Sequence, residues 1–122
     1  MSECVSILVV DDDQMMLDFA VRALTSLGYA CLVSQDTDEA LRVLDADPSI
    51  RAVIIDMRLG TGQSGMHMAQ QALGIRPELG VLLTSGDHGA LKVARQHLPH
   101  GVRVLPKPYR LRDLAAHLSH LI

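Results

Sequence analysis

Short, uninterrupted apolar runs alternate along the chain with longer stretches whose apolar residues recur every three or four positions. Runs without a two-residue alternation suit strands covered on both faces, and the amphipathic stretches between them supply the covering helices. Five such units follow one another. The first strand is read over residues 5–10 and stops at Asp11. The first helix spans residues 14–27, with Met16, Phe19, Ala20, Ala23, Leu24 and Leu27 on one face and Gly28 placed to end it. Residues 29–33 form the second strand. The second helix starts near Thr37, whose hydroxyl is expected to cap it ahead of Asp38 and Glu39, and ends before Pro48. The third strand, residues 52–55, runs into Asp56. Residues 57–65 contain Gly60, Gly62 and Gly65 and read as a loop before a third helix of roughly ten residues starting at Met66. Residues 81–84 are the fourth strand, residues 89–98 a more weakly patterned fourth helix, and residues 102–105 the fifth strand. The last helix buries Leu111, Leu114, Ala115 and Leu118. Strands alternating with helices in this way specify an α/β fold built on a parallel sheet.

A length of 122 residues supports one sizeable core, so residues 1–122 are read as a single domain. The net charge of −3, with no run among the 11 Lys and Arg residues, leaves no electrostatic footprint for nucleic acid, and none is expected to bind directly. Cys4 and Cys31 form no CxxC pair and no cluster with histidine, which argues against a disulfide framework or a zinc site. The six histidines share no ligand spacing either. No basic leader and no apolar segment of membrane-spanning length is found, so a cytoplasmic protein without a membrane role is expected.

In open parallel sheets ligands bind beyond the carboxyl ends of the strands, where the strand order reverses. Those ends carry Asp11-Asp12-Asp13, Asp56, Thr84-Ser85 and Lys107. With the strand order 2-1-3-4-5 the first and third strands are neighbours, and Asp11, Asp12 and Asp56 converge. Three carboxylates in one crevice need a cation, and an all-oxygen set with few protein ligands suits Mg²⁺ better than zinc or copper. Mg²⁺ and the Lys107 ammonium can then neutralise phosphoryl oxygens while the Ser85 hydroxyl donates to a third, and one carboxylate attacks phosphorus to form an acyl phosphate. Taken singly, each residue has a plainer reading. An acidic run commonly caps a helix, a lone Asp or a Ser-Gly pair commonly makes a turn, and Pro106-Lys107-Pro108 can be a rigid connector. It is their coincidence at four strand ends that points to chemistry.

The stretches Ile7-Leu8-Val9-Val10-Asp11-Asp12-Asp13, Ala52-Val53-Ile54-Ile55-Asp56, Leu82-Leu83-Thr84-Ser85-Gly86 and Val104-Leu105-Pro106-Lys107-Pro108-Tyr109 resemble the conserved blocks of response regulator receiver domains. The likeness, closest in kind to the chemotaxis receivers of bacterial two-component systems, runs along essentially the whole chain. It implies a flavodoxin-like, doubly wound five-stranded parallel sheet with five helices, and a protein that catalyses only its own phosphorylation and dephosphorylation. It further implies that Asp56 accepts the phosphoryl group, that Asp12 binds Mg²⁺ directly and Asp11 mainly through water, and that the Arg58 main-chain carbonyl completes the protein ligands. Ser85, with Thr84 as the alternative hydroxyl, would move towards the phosphoryl group, and Lys107 would pair with Asp56 or its phosphate. The Lys107–Pro108 bond would be cis.

Four features depart from the common pattern. Gly60 replaces a usual proline in a loop one residue longer than most, and Val104 stands where an aromatic residue often turns inward. Thr84 and Ser85 are adjacent hydroxyls, of which Ser85 is chosen because Gly86 follows it. Arg58 and Asp87 are expected to bridge over the site and shield the phosphoryl group from water. The implied partners are a histidine kinase or phosphotransfer protein as donor and a downstream effector protein that reads the fourth helix, fifth strand and fifth helix. The chain is expected to be a monomer, or a dimer on phosphorylation. The chain ends after the fifth helix, which leaves no room for an output module and makes action through another protein the expectation. A pseudo-receiver, acting as an interaction module without phosphorylation, is the alternative, but it should have lost Asp56, Lys107 or one of the acidic pair. A Mg²⁺-dependent phosphohydrolase should carry a substrate cap, and a flavin carrier should be hydroxyl-rich rather than acidic after the first strand.

Overall fold

A computed structural model of the protein describes residues 5–59, 63–99 and 101–122. Its elements in chain order are β1 (Ser6–Val10), α1 (Gln14–Ser26), β2 (Ala30–Ser34), α2 (Thr37–Ala46), β3 (Ile50–Asp56), β4 (Arg58–Leu59), β5 (Gln63–Ser64), α3 (Gly65–Ile75), β6 (Gly80–Ser85), α4 (His88–Arg95), β7 (Val102–Pro106) and α5 (Leu111–Leu121). Five strands form one sheet in the order β2-β1-β3-β6-β7, all neighbours parallel. Counting those five strands alone, this is the 2-1-3-4-5 arrangement.

The pleat sends alternate residues of each strand to opposite faces, and the two cores follow from it. Leu8 and Val10, Val53 and Ile55, Val81 and Leu83, and Val102 and Val104 pack under α2, α3 and α4 with Ala40, Leu44, Met68, Ala72 and Leu91. Ile7 and Val9, Ala52 and Ile54, Leu82 and Leu105 pack under α1 and α5 with Leu17, Leu24, Leu114 and Leu118. Val104 is thus a core residue, 7% exposed, and no aromatic ring stands in its place.

Among the described residues, four of the five helices begin where short polar side chains cap them. Asp13 accepts the Met15 amide at 2.9 Å, Ser64 caps α3 and Asp87 caps α4. The cap of α2 is Asp36, which accepts the Glu39 amide, and not Thr37. Asp36 and Thr37 are both capping residue types, and the chain enters the helix one residue earlier than a Thr37 cap would allow; the Thr37 hydroxyl is buried without a partner among the described residues. The segment read as a loop after β3 contains the two-residue antiparallel strands β4 and β5, and α3 begins at Gly65, one residue early. Gly60 and the extra loop residue lie outside the described residues. Arg76, just past α3, donates to the carbonyl oxygens of Leu44, Asp47 and Ile50, and so ties the end of α2 to the start of β3.

Candidate functional site

Strand register brings the polar strand ends together. Val10 of β1 lies opposite Ile55 of β3, so the next residues, Asp11 and Asp56, are neighbours. Ser85 at the end of β6 lies opposite Pro106, and the Lys107 amide donates to the Ser85 carbonyl at 2.8 Å. Lys107 Nζ reaches back across the sheet to Asp11 Oδ2 at 2.8 Å and Asp56 Oδ2 at 3.3 Å. The ammonium therefore bridges two buried carboxylates, and its shorter contact is to Asp11. The Lys107–Pro108 peptide is cis, as expected.

Burial and charge work against each other here. Burial raises the Asp56 pKa and the Asp11 charge adds to it, against the opposing Arg58 amide and Lys107 ammonium. Burial acts to lower the Lys107 pKa, but its bonds and charge interactions with Asp11 and then Asp56 outweigh it and leave the pKa raised.

One carboxylate oxygen from each of Asp11, Asp12 and Asp56 lies within 4.8 Å of the others. The donor census divides their roles. Asp11 Oδ1 accepts the Asp13 amide at 2.9 Å while Oδ2 takes Lys107, so both its oxygens are engaged. Asp56 Oδ1 accepts the Arg58 amide at 3.2 Å. Asp12 is exposed and accepts no hydrogen bond among the described residues. A hard divalent cation with oxygen ligands and retained waters fits this set, with Asp12 free to ligate directly.

Beside this cluster is an open cleft of about 580 Å³ lined by Asp12, Asp56, Arg58, Ser85, Asp87 and Lys107 among others. Of the two adjacent hydroxyl residues, Ser85 faces the cleft, whereas Thr84 is 1% exposed and absent from its wall. Ser85 Oγ accepts the Asp87 amide at 2.9 Å, which leaves its own proton free to donate. Arg58 and Asp87 both border the cleft, but the ion pairs among the described residues are those of Lys107. The expected Arg58–Asp87 bridge is not formed; Asp87 Oδ1 instead accepts the Ala90 amide at the start of α4.

Two residues that support the site were not singled out from sequence. Tyr109 is 7% exposed, its ring set edge-on to Phe19 at 5.5 Å, and burial, followed by the Asp11 and Asp56 charges, pushes its pKa up to about 12. Gly65 donates its amide to the Met57 carbonyl at 2.9 Å and presses against the backbone of Asp56 and Met57.

The model of the response regulator receiver domain matches residues 7–119. The chain belongs to that family. Response regulator MprA of Mycolicibacterium vanbaalenii is 33% identical over 120 residues, an alignment covering 97% of this chain and 50% of MprA. The chain thus spans about half the length of the MprA relatives it matches. Response regulator receiver protein CpdR of Brucella abortus is 27% identical over 116 residues, covering 95% of each protein. The crystal structure of a response regulator receiver protein from Sinorhizobium medicae superposes with a TM-score of 0.85 at 28% identity, over 98% of this chain and 94% of that one. The receiver domain sets its acidic cluster at the reversal of strand order, where the α/β architecture places ligands. No helix among its described residues is long and apolar enough to cross a membrane.

Proposed function

We propose that this receiver domain takes a phosphoryl group onto Asp56 from a phosphohistidine on a histidine kinase or phosphotransfer protein, with Mg²⁺, in the cytoplasm. The observation that carries the reading is the convergence of Asp56, Lys107, Asp11 and Asp12 at three strand ends, with Asp56, Lys107 and Asp12 lining an open cleft. Asp12 directly, Asp11 through water, Asp56 and the Arg58 carbonyl would hold Mg²⁺, which when bound supplies charge neutralisation for the phosphoryl oxygens. Asp56 Oδ attacks phosphorus as the P–N bond to the donor imidazole breaks, and the product is an aspartyl phosphate. Lys107, already 3.3 Å from Asp56, pairs with the anionic product, and the Ser85 hydroxyl donates to one of its oxygens. A phosphohistidine is a reactive donor, so the protein contributes position and charge and needs no general base. Ser85 and Lys107 connect the site to β6 and β7, and the face formed by α4, β7 and α5 carries the change to an effector protein.

Intact-mass analysis with acetyl phosphate or phosphoramidate tests this directly. We expect a gain of one phosphoryl group that requires Mg²⁺; no gain with these donors or with phosphorylated phosphotransfer proteins would overturn the proposal in favour of a constitutive interaction module.

Arg58 remains at the cleft without a carboxylate partner among the described residues, and it is placed to hinder water on its way to the acyl phosphate. Arg58→Ala is expected to lose phosphate a few-fold faster than wild type, equivalent to less than about 1.4 kcal/mol in the barrier. The decay of the phosphorylated mass peak measures it, and faster loss from wild type would remove Arg58 from the mechanism.

A further inference from the structure

Charge is unevenly spread along this chain. Acidic residues crowd the segments before Met57, whereas from His88 onward Asp113 alone stands against Lys92, Arg95, Arg103, Lys107, Arg110 and Arg112. Apart from Lys107, these basic residues are exposed. The fold gathers several of them. Lys92 and Arg95 occupy the last turn of α4, Arg103 lies on the edge strand β7, and Arg103 Nε donates to His117 Nδ1 of α5 at 2.9 Å. Arg95, Arg103 and His120 all act on the His117 imidazole, which places α4, β7 and α5 within one electrostatic neighbourhood. Asp113, the only acidic side chain within these three elements, accepts the Arg110 amide as part of the α5 cap, and Asp87 next to them caps α4. Val93 on α4 is 61% exposed beside these cations.

We propose that the α4–β7–α5 face docks an acidic segment of a protein partner, carrying an apolar residue for Val93, and that it does not pair with a second copy of itself. A two-fold symmetric contact puts the same patch on both sides, so this face would oppose cations to cations with a single, already engaged carboxylate to offset them. An acidic partner meets complementary charge instead. The exposed Val93 favours a protein surface over a phosphate backbone, which rewards a dense row of permanent cations. The inference rests on the reading of this face as the output surface, and the test separates the two.

The probe is a labelled synthetic helical peptide with Leu on one face and Glu on the other, compared with the same peptide carrying Lys for Glu and with a single-stranded oligonucleotide of equal charge. Binding is followed by anisotropy at low and physiological salt, with and without beryllofluoride, and the oligomeric state by light scattering. The expected result is preference for the Glu peptide, weakening with salt, and at least tenfold loss in Arg95→Glu, whose side chain makes no internal bond among the described residues. Arg95→Glu with Arg103→Glu should lose more while keeping the wild-type circular dichroism spectrum. The loaded protein should remain a monomer. Tighter binding of the oligonucleotide, indifference to Arg95→Glu, or a beryllofluoride-induced dimer broken by Arg95→Glu would each overturn the proposal. Equal peptide binding with and without beryllofluoride would uphold the docking surface and reject its coupling to Asp56.

Discussion

Replacing Asp56 with Asn is expected to remove phosphoryl uptake without lowering the melting temperature. The amide has no anionic oxygen to attack phosphorus, so the mass gain expected of wild type should be absent in Asp56→Asn under the same donor and Mg²⁺. Stability moves the other way because the native fold disfavours the charge that chemistry needs. Burial and the Asp11 charge raise the Asp56 pKa, and a carboxyl whose pKa rises on folding detracts from stability once pH climbs through its titration. Asparagine escapes that cost, while Lys107 keeps its 2.8 Å contact with Asp11. Thermal melts of the two proteins should therefore differ most at neutral pH, wild type melting no higher, and converge as pH falls below about 3.9, where the carboxyl is protonated in both states. A mass gain that persists in Asp56→Asn would transfer the acceptor role to Asp11 or Asp12. A marked drop in its melting temperature would mean that the Lys107–Asp56 pair stabilises the fold more than burial of the carboxylate costs.

The same tension explains what could be read from sequence. Central parallel strands are covered on both faces, so β1, β3 and β6 had to be continuous apolar runs, and their polar ends marked the site. Asp11, Asp12, Asp56, Ser85 and Lys107 were found in this way because each ends a strand or directly follows one. Boundaries were less legible. β3 starts at Ile50, before Arg51, because a strand end can leave one charged residue in solvent, and the run of apolar letters hides that. The β4–β5 pairing involves two residues on each side, too few for any period. Side-chain partnership was the least legible. Arg58 and Asp87 have opposite charges at matching offsets from Asp56 and Ser85, yet they form no ion pair, and Asp87 caps α4. Lys107 was assigned to Asp56, but it also lies against Asp11, which sits 96 positions away in sequence. Linear order carries no information on which of two adjacent carboxylates an ammonium will approach more closely.

Gly65→Ala should be among the most damaging single substitutions outside the cluster itself. A Cβ built at Gly65 falls 2.7 Å from Met57 Cα and 2.9 Å from the Asp56 carbonyl carbon, and closer still to the Asp56 carbonyl oxygen. All three are backbone atoms, so no side chain can rotate away, and relief requires α3 to shift from the end of β3. Overpacking of this kind costs about 3 kcal/mol or more when the backbone must move. For a domain of this size that corresponds to a fall in melting temperature of roughly 10 °C or more. The shift should also reach chemistry, because the displaced backbone is that of the proposed phosphoacceptor. Asp56 would move relative to Lys107 and Ser85, and a displacement of about 1 Å at a reacting group can cost on the order of a hundredfold in rate. Thermal melting and the rate of mass gain, measured below the melting transition of the variant, test the two effects separately. A folded Gly65→Ala with wild-type uptake would show that β3 and α3 can separate without disturbing the site. A glycine marked at the sequence level only as a loop residue is needed here because two backbones meet where the acceptor must be held still.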